Sequence, residues 1–251
     1  REYRSETRKI MNPSILRAAL AGSLAFCSLS VSAATWTLTD SSANNPLVTG
    51  WKSGSNTTDI YSTSVDFWSG NGIGIGGESS SDGQHSLDNY NGYEVALLGF
   101  NQQVRLESVK AGWTQTDSDV FVMAYTGSGS ASAALDGGDF KTLASRGWTL
   151  VSNLGGIGTT ERSLGTTSGT FANTYSSFWL IGAGNFAAGT GVNLRETTNA
   201  TYDYVKIATV SGTVKTTNGG GAPVPEPGTL ALAGLALAGV AGLRRRRARA
   251  A

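Results

Sequence analysis

The chain has 251 residues, with 19 Lys and Arg against 18 Asp and Glu, one His and one Cys. A lone cysteine excludes a disulfide framework, and a formal net charge of +1 gives no overall electrostatic footprint for nucleic acid. The 34 glycines, with abundant Ser and Thr and scarce Lys and Glu, favour strands and turns over solvent-facing helices.

Arg1 to Ile10 precede the first methionine, Met11, where translation is expected to start. From there the chain reads as a secretory signal peptide: a short basic region with Arg17, an apolar stretch from Ala18 to Leu29, and the small-residue site Val31-Ser32-Ala33. Such a segment is passed through the Sec translocon and cut by signal peptidase, here between Ala33 and Ala34. Cys27 lies in the apolar stretch and would leave with it, so the mature chain is expected to have no thiol for a disulfide, a nucleophile or a zinc site.

Residues 34–223, the exported part, hold ten Asp and five Glu against five Lys and four Arg, a net charge of −6. An acidic ectodomain has no footprint for nucleic acid or anionic lipid. Strand patterns fall at Thr35 to Thr39 and Asp59 to Trp68, then at Glu94 to Phe100, which is apolar on both faces. After an expected turn at Asn101-Gln102 the alternation resumes from Val104 to Trp113. Further strands are expected at Asp119 to Tyr125, Trp148 to Leu154, Ser177 to Ala183 and Tyr202 to Val210, with one short helix over Asp139 to Arg146. Gly-rich turns such as Gly70-Asn71-Gly72 and Gly155-Gly156 separate them. The fold expected is all-β, a single antiparallel β-sandwich of jelly-roll type over residues 34–211, with a closed barrel as the alternative. Residues 212–223 read as a flexible linker.

The chain closes with Val224-Pro225-Glu226-Pro227-Gly228, an uncharged apolar run from Thr229 to Leu243, and the basic cluster Arg244, Arg245, Arg246, Arg247 and Arg249. The run is expected to form a short transmembrane helix reaching about 22 Å against a hydrocarbon core of about 30 Å, with local thinning and snorkelling arginines covering the difference. The arginines would stay cytoplasmic and place everything before the run on the far side of the membrane. An uncleaved C-terminal anchor would look the same. This three-part tail resembles the PEP-CTERM sorting signal of Gram-negative bacteria. The resemblance implies an exosortase that removes the tail from the transiently membrane-inserted chain and sends the protein to the cell surface or the extracellular matrix.

Within the domain, His85-Ser86-Leu87-Asp88-Asn89, the strand Glu94 to Phe100, and Gly112-Trp113 followed by Asp117-Ser118-Asp119 resemble a family of exosortase-dependent surface proteins, as do Ser177 to Ala183 and Tyr202 to Lys206. That resemblance implies a surface β-domain and carries no catalytic residues with it. His85, Asp88, Asp117 and Asp119 are the candidate metal ligands, their oxygens suiting Ca²⁺ if the loops gather at one end of a sandwich. The competing expectation is that Asp and Asn cap turns through their own backbone and that no cofactor is bound. One histidine, no mature cysteine and no Gly-x-Ser-x-Gly elbow argue against a hydrolase, and the chain is expected to be no enzyme. An alternative function is binding of extracellular polysaccharide, with Trp51, beside Lys52 in a Gly/Ser-rich stretch, as the stacking residue. Ice binding would need a regular threonine array, and Thr166-Thr167 and Thr197-Thr198 are isolated pairs.

Overall fold

The computed structural model describes residues 32–41, 46–54, 58–77, 85–187, 191–192 and 202–215. Its strands are β1 (Ser32–Thr37), β2 (Leu47–Ser53), β3 (Tyr61–Thr63), β4 (Val65–Trp68), β5 (Gly72–Ile75), β6 (Leu87–Asp88), β7 (Tyr93–Thr116), β8 (Val120–Tyr125), β9 (Trp148–Leu154), β10 (Arg162–Ser163), β11 (Ser176–Ala183), β12 (Phe186–Ala187), β13 (Gly191–Val192) and β14 (Asp203–Val214). β12 and β13 form a ribbon of their own. Among the described residues the other twelve strands join in one open sheet whose main path runs β4-β5-β14-β7-β11-β8-β9, so the sheet does not close into a barrel. The expected all-β, mostly antiparallel character is what these residues form.

β7 organises the sheet. Its 24 residues would span about 80 Å if straight, far longer than a domain of this size, so the strand must fold over. Its first leg, Tyr93 to Gly99, pairs with β2 on one side and β11 on the other. The second leg, Val104 to Thr116, pairs with β14 along its whole length. The chain therefore reverses where the sequence suggested, but as a corner of one continuous strand, not as a hairpin. Asn101, Gln102 and Gln103 are exposed there, and none is the Gly or Pro that a tight turn would use. β11 spans the corner, its Phe178 opposite Gly99 and its Ser176 opposite Val104, with a register shift between them. Both ends of β7 come back to the same place: Asp203, opposite Thr116, is hydrogen-bonded to Asn89, just upstream of Tyr93.

Two apolar clusters explain the strand patterns. The larger gathers Ala96 and Leu98 from the first leg, Leu106, Val109 and Ala111 from the second, and Val122, Trp179, Ile181, Val205, Ile207 and Ile73. Alternate residues of the same strands, Val95, Leu97, Phe121, Met123 and Leu180, point the other way into a second cluster with Trp148, Leu135, Phe140 and Leu143. That is why β8 and the first leg of β7 are continuous apolar runs: each face has a cover. The cover on the second side is the loop ending in the 3-10 helix Phe140–Arg146. Asp139 caps it by accepting from the Lys141 backbone N–H at 2.8 Å, and Gly147 ends it at φ 94°, a left-handed conformation that favours glycine.

The domain edges lie further out than the sequence suggested. β1 begins at Ser32 and holds Ala33 and Ala34 in register with Thr213 and Gly212. β14 runs on through Val214, three residues into the expected linker, and the Lys215 backbone N–H donates to Gln103 O at 2.8 Å. Among the described residues no helix is long and apolar enough to cross a membrane; the expected span, residues 229–243, lies outside them.

Candidate functional site

At the end where both legs of β7 meet, three acids converge. One carboxylate oxygen from each of Asp117, Asp119 and Asp203 lies within 4.8 Å of the others. Asp117 and Asp119 leave the end of β7, and Asp203 opens β14 beside them through a parallel bridge to Asp117. The Asp119 backbone N–H donates to Asp203 Oδ1 at 2.7 Å, and Asn89 Nδ2 donates to Asp203 Oδ2 at 2.7 Å. Asp119 itself accepts from the Gly156 N–H and from Asn185 Nδ2. Burial pushes the Asp203 carboxyl up to about 7, and the nearby Asp119 and Asp117 push the same way. The donors from Asp119 and Asn89 oppose the shift without cancelling it.

The four proposed metal ligands are thus divided. Asp117 and Asp119 come together, and the third member of their group is Asp203, which sequence reasoning missed. The signal lay in Tyr202-Asp203-Tyr204, an acid at the mouth of an apolar strand. Asp88 instead accepts from the Tyr90 N–H at 2.9 Å, closing a turn, and its own N–H donates to Glu94. His85 stands on another surface, its Nδ1 3.4 Å from Asp66 Oδ2 and its ring 5.4 Å from that of Trp68.

Trp51 is no exposed platform. It is 7% exposed, packs in the second apolar cluster, and donates from Nε1 to Thr49 Oγ1 at 3.0 Å. The alternation of β2 turns it inward, a pattern hidden in sequence by Gly50 and Ser53. The accessible tryptophan is Trp68, 39% exposed on the edge strand β4. Lys206 Nζ lies 4.7 Å from its ring centroid and 4.5 Å from that of Trp113, so one ammonium is held between two indoles. Thr166 is fully buried and its hydroxyl donates to Leu106 O, so it is not part of a surface array. Thr197-Thr198 lie outside the described residues.

The sorting residues Val224, Pro225, Glu226 and Pro227, and the cluster Arg244, Arg245, Arg246, Arg247 and Arg249, also lie outside the described residues. The structure does show where their segment begins: at Lys215, beside the β7 corner and at the opposite end of the domain from the acids. No curated protein and no solved structure matches this chain. A family model described as the PEP-CTERM protein-sorting motif matches residues 223–247, so the chain carries a PEP-CTERM sorting motif at that segment.

Proposed function

We propose that this chain is a non-catalytic protein of the cell surface or extracellular matrix, exported through the Sec translocon, trimmed by signal peptidase, and cut near Pro225-Glu226-Pro227 by an exosortase. The motif over residues 223–247 carries this reading, since it is the sorting signal of exosortase-dependent export. In this reading Thr229 to Leu243 crosses the inner membrane until cleavage, and the two legs of β7 are facing layers of a jelly-roll-like sandwich. The single larger core to which both legs contribute supports that packing. His85 being engaged by Asp66 and Trp68 supports a role in structure for the mature chain's one histidine. Mass spectrometry of both ends of the protein from its native cell, beside a strain lacking the sorting protease, tests the reading. An intact tail in both strains overturns it.

The second reading is binding of extracellular polysaccharide, and the observation that favours it is the exposed indole of Trp68 with Asp66 and His85 beside it, Lys206 being buried against its inner face. An aromatic face bordered by hydrogen-bonding groups is what a sugar ring needs. Retention of the protein on its own cell's polysaccharide, lost in Trp68→Ala and kept in Trp51→Phe, is the expected result. Equal retention of both variants overturns this second reading.

A further inference from the structure

The end of the domain at the β7 corner carries an exposed apolar and aromatic patch; the other exposed large hydrophobics among the described residues, Tyr61, Phe67 and Trp68, lie on β3 and β4. Leu47 on β2 and Phe178 on β11 are both in register with Gly99, so they stand on one row with no side chain between them. Leu47 is 73% exposed and Phe178 38%. They line a groove with Leu97 and Ala131, where the second apolar cluster runs out from under its loop. Phe178 also borders a second groove containing Tyr175 and Gln103, which makes the patch continuous. Two cations flank Tyr175, the Arg105 guanidinium and Lys215 Nζ, each 5.6 Å from the ring centroid. Glu107, the neighbouring acid, is tied to Arg105 and to Thr213. The opposite end of the domain holds Asp117, Asp119 and Asp203. The domain therefore has an apolar, aromatic and cationic end and an acidic end.

Both outward chain segments attach at the first of these ends. Ser32 is paired with Val214, so the segment bearing the export signal enters, and the sorting tail leaves, beside the corner. From Lys215 to Pro225 there are only ten residues, which reach about 35 Å fully extended and about 17 Å on average for a flexible chain. A domain held that close experiences the bilayer at high effective concentration, so that even a weak surface contact is populated.

We infer that the β7-corner end, through Leu47, Phe178, Tyr175 and Lys215, is a membrane-contact face that seats the domain on the anionic outer leaflet of the inner membrane while the tail is inserted, a local exception in a domain whose net charge of −6 gives no overall footprint for anionic lipid. Apolar side chains enter the headgroup boundary, the tyrosine sits at the level where aromatic residues collect, and Lys215 meets lipid phosphates, the Arg105 guanidinium being held by Glu107 and the Ala172 carbonyl. The acidic end, repelled by the same surface, points away. After tail removal the tether is lost and the face leaves with the domain. The inference rests on the sorting reading, and its test separates the two.

The full chain, with Cys27→Ser, is reconstituted into vesicles of phosphatidylethanolamine and phosphatidylglycerol, with a single reporter fluorophore on Gln102→Cys, Gln115→Cys or Gly228→Cys and a nitroxide on the lipid headgroups. The expected result is quenching at residues 228 and 102 several-fold above that at 115, with the signal at 102 falling to that at 115 in Leu47→Asn/Lys215→Glu. Quenching at 228 alone overturns the contact face and leaves the sorting reading standing. No quenching at 228 overturns both. Because the 102 and 115 reporters are compared in a chain with its face intact, the outcome does not depend on the double variant folding.

Discussion

Asn89 and Asp203 hold each other with one hydrogen bond in each direction: Asn89 Nδ2 donates to Asp203 Oδ2 at 2.7 Å, and the Asp203 backbone N–H donates to Asn89 Oδ1 at 2.8 Å. This clasp ties the turn before β7 to the start of β14, and it encloses an acid that is 1% exposed.

The buried acid makes stability depend on pH. Its carboxyl is raised from 3.8 to about 7, so between these values the folded chain holds a proton that the unfolded chain releases. The group costs nothing below about pH 4, and its cost grows as pH rises, reaching on the order of 4 kcal/mol above pH 7. Urea unfolding at a series of pH values is expected to show stability falling from pH 4 to 7. In Asp203→Asn that fall should be largely removed. A wild-type profile that rises over the same interval would sink the assignment.

Gly74 sits where another backbone passes. A Cβ at this position would lie 1.7 Å from the His85 carbonyl oxygen, and backbone cannot move aside as a side-chain tip can. Gly74→Ala is expected to destabilise the domain by about 2 kcal/mol or more. Gly70→Ala, with nothing within 4 Å but φ +78°, should cost only about 1 kcal/mol from backbone strain. Thermal unfolding of the two variants checks the order.

The same glycines show why part of the fold was hard to read. Trp148 to Leu154 and Val120 to Tyr125 declare themselves because their side chains supply the pattern. β5 is Gly-Ile-Gly-Ile, and its glycines are required by close backbone approach, so the residues that usually mark turns here mark a strand. β2 was missed for a similar reason, and with it the burial of Trp51. The acid cluster was half legible: Asp117 and Asp119 are neighbours in sequence, but Asp203 joins them only through the long β7–β14 ladder. Nothing local in the sequence encodes that pairing.

β1 sets a limit on N-terminal trimming. A chain beginning at Ala34 keeps the pairs from Ala34 to Thr37 with β14 and should match the longer chain to within about 1 kcal/mol. A chain beginning at Thr39 also loses Leu38, which is fully buried in the larger core and hydrogen-bonded to Ala208 O. That chain should lose about 3 kcal/mol or more, seen as a lower thermal midpoint.

Lys206 is buried between Trp68 and Trp113, and burial lowers its ammonium from the ordinary lysine value while Asp66 partly restores it. Lys206→Ala removes the cation and the aliphatic stem that separate the two rings, at an expected cost of about 1 to 2 kcal/mol. Lys206→Met keeps the stem and should recover at least half of this loss. Urea midpoints, with tryptophan emission as the probe, distinguish the two.

The tail leaves from the end of β14, and β14 is bonded to the second leg of β7 from Asp203 to Val214. If the protein is held at its C-terminus and pulled by something bound at its acidic end, the load runs along these strands. The rungs of the ladder are then strained in shear, all at once, whereas a pull across the sheet would open them one after another. An attachment point at Val214 gives the domain its stiffest direction in line with the tether.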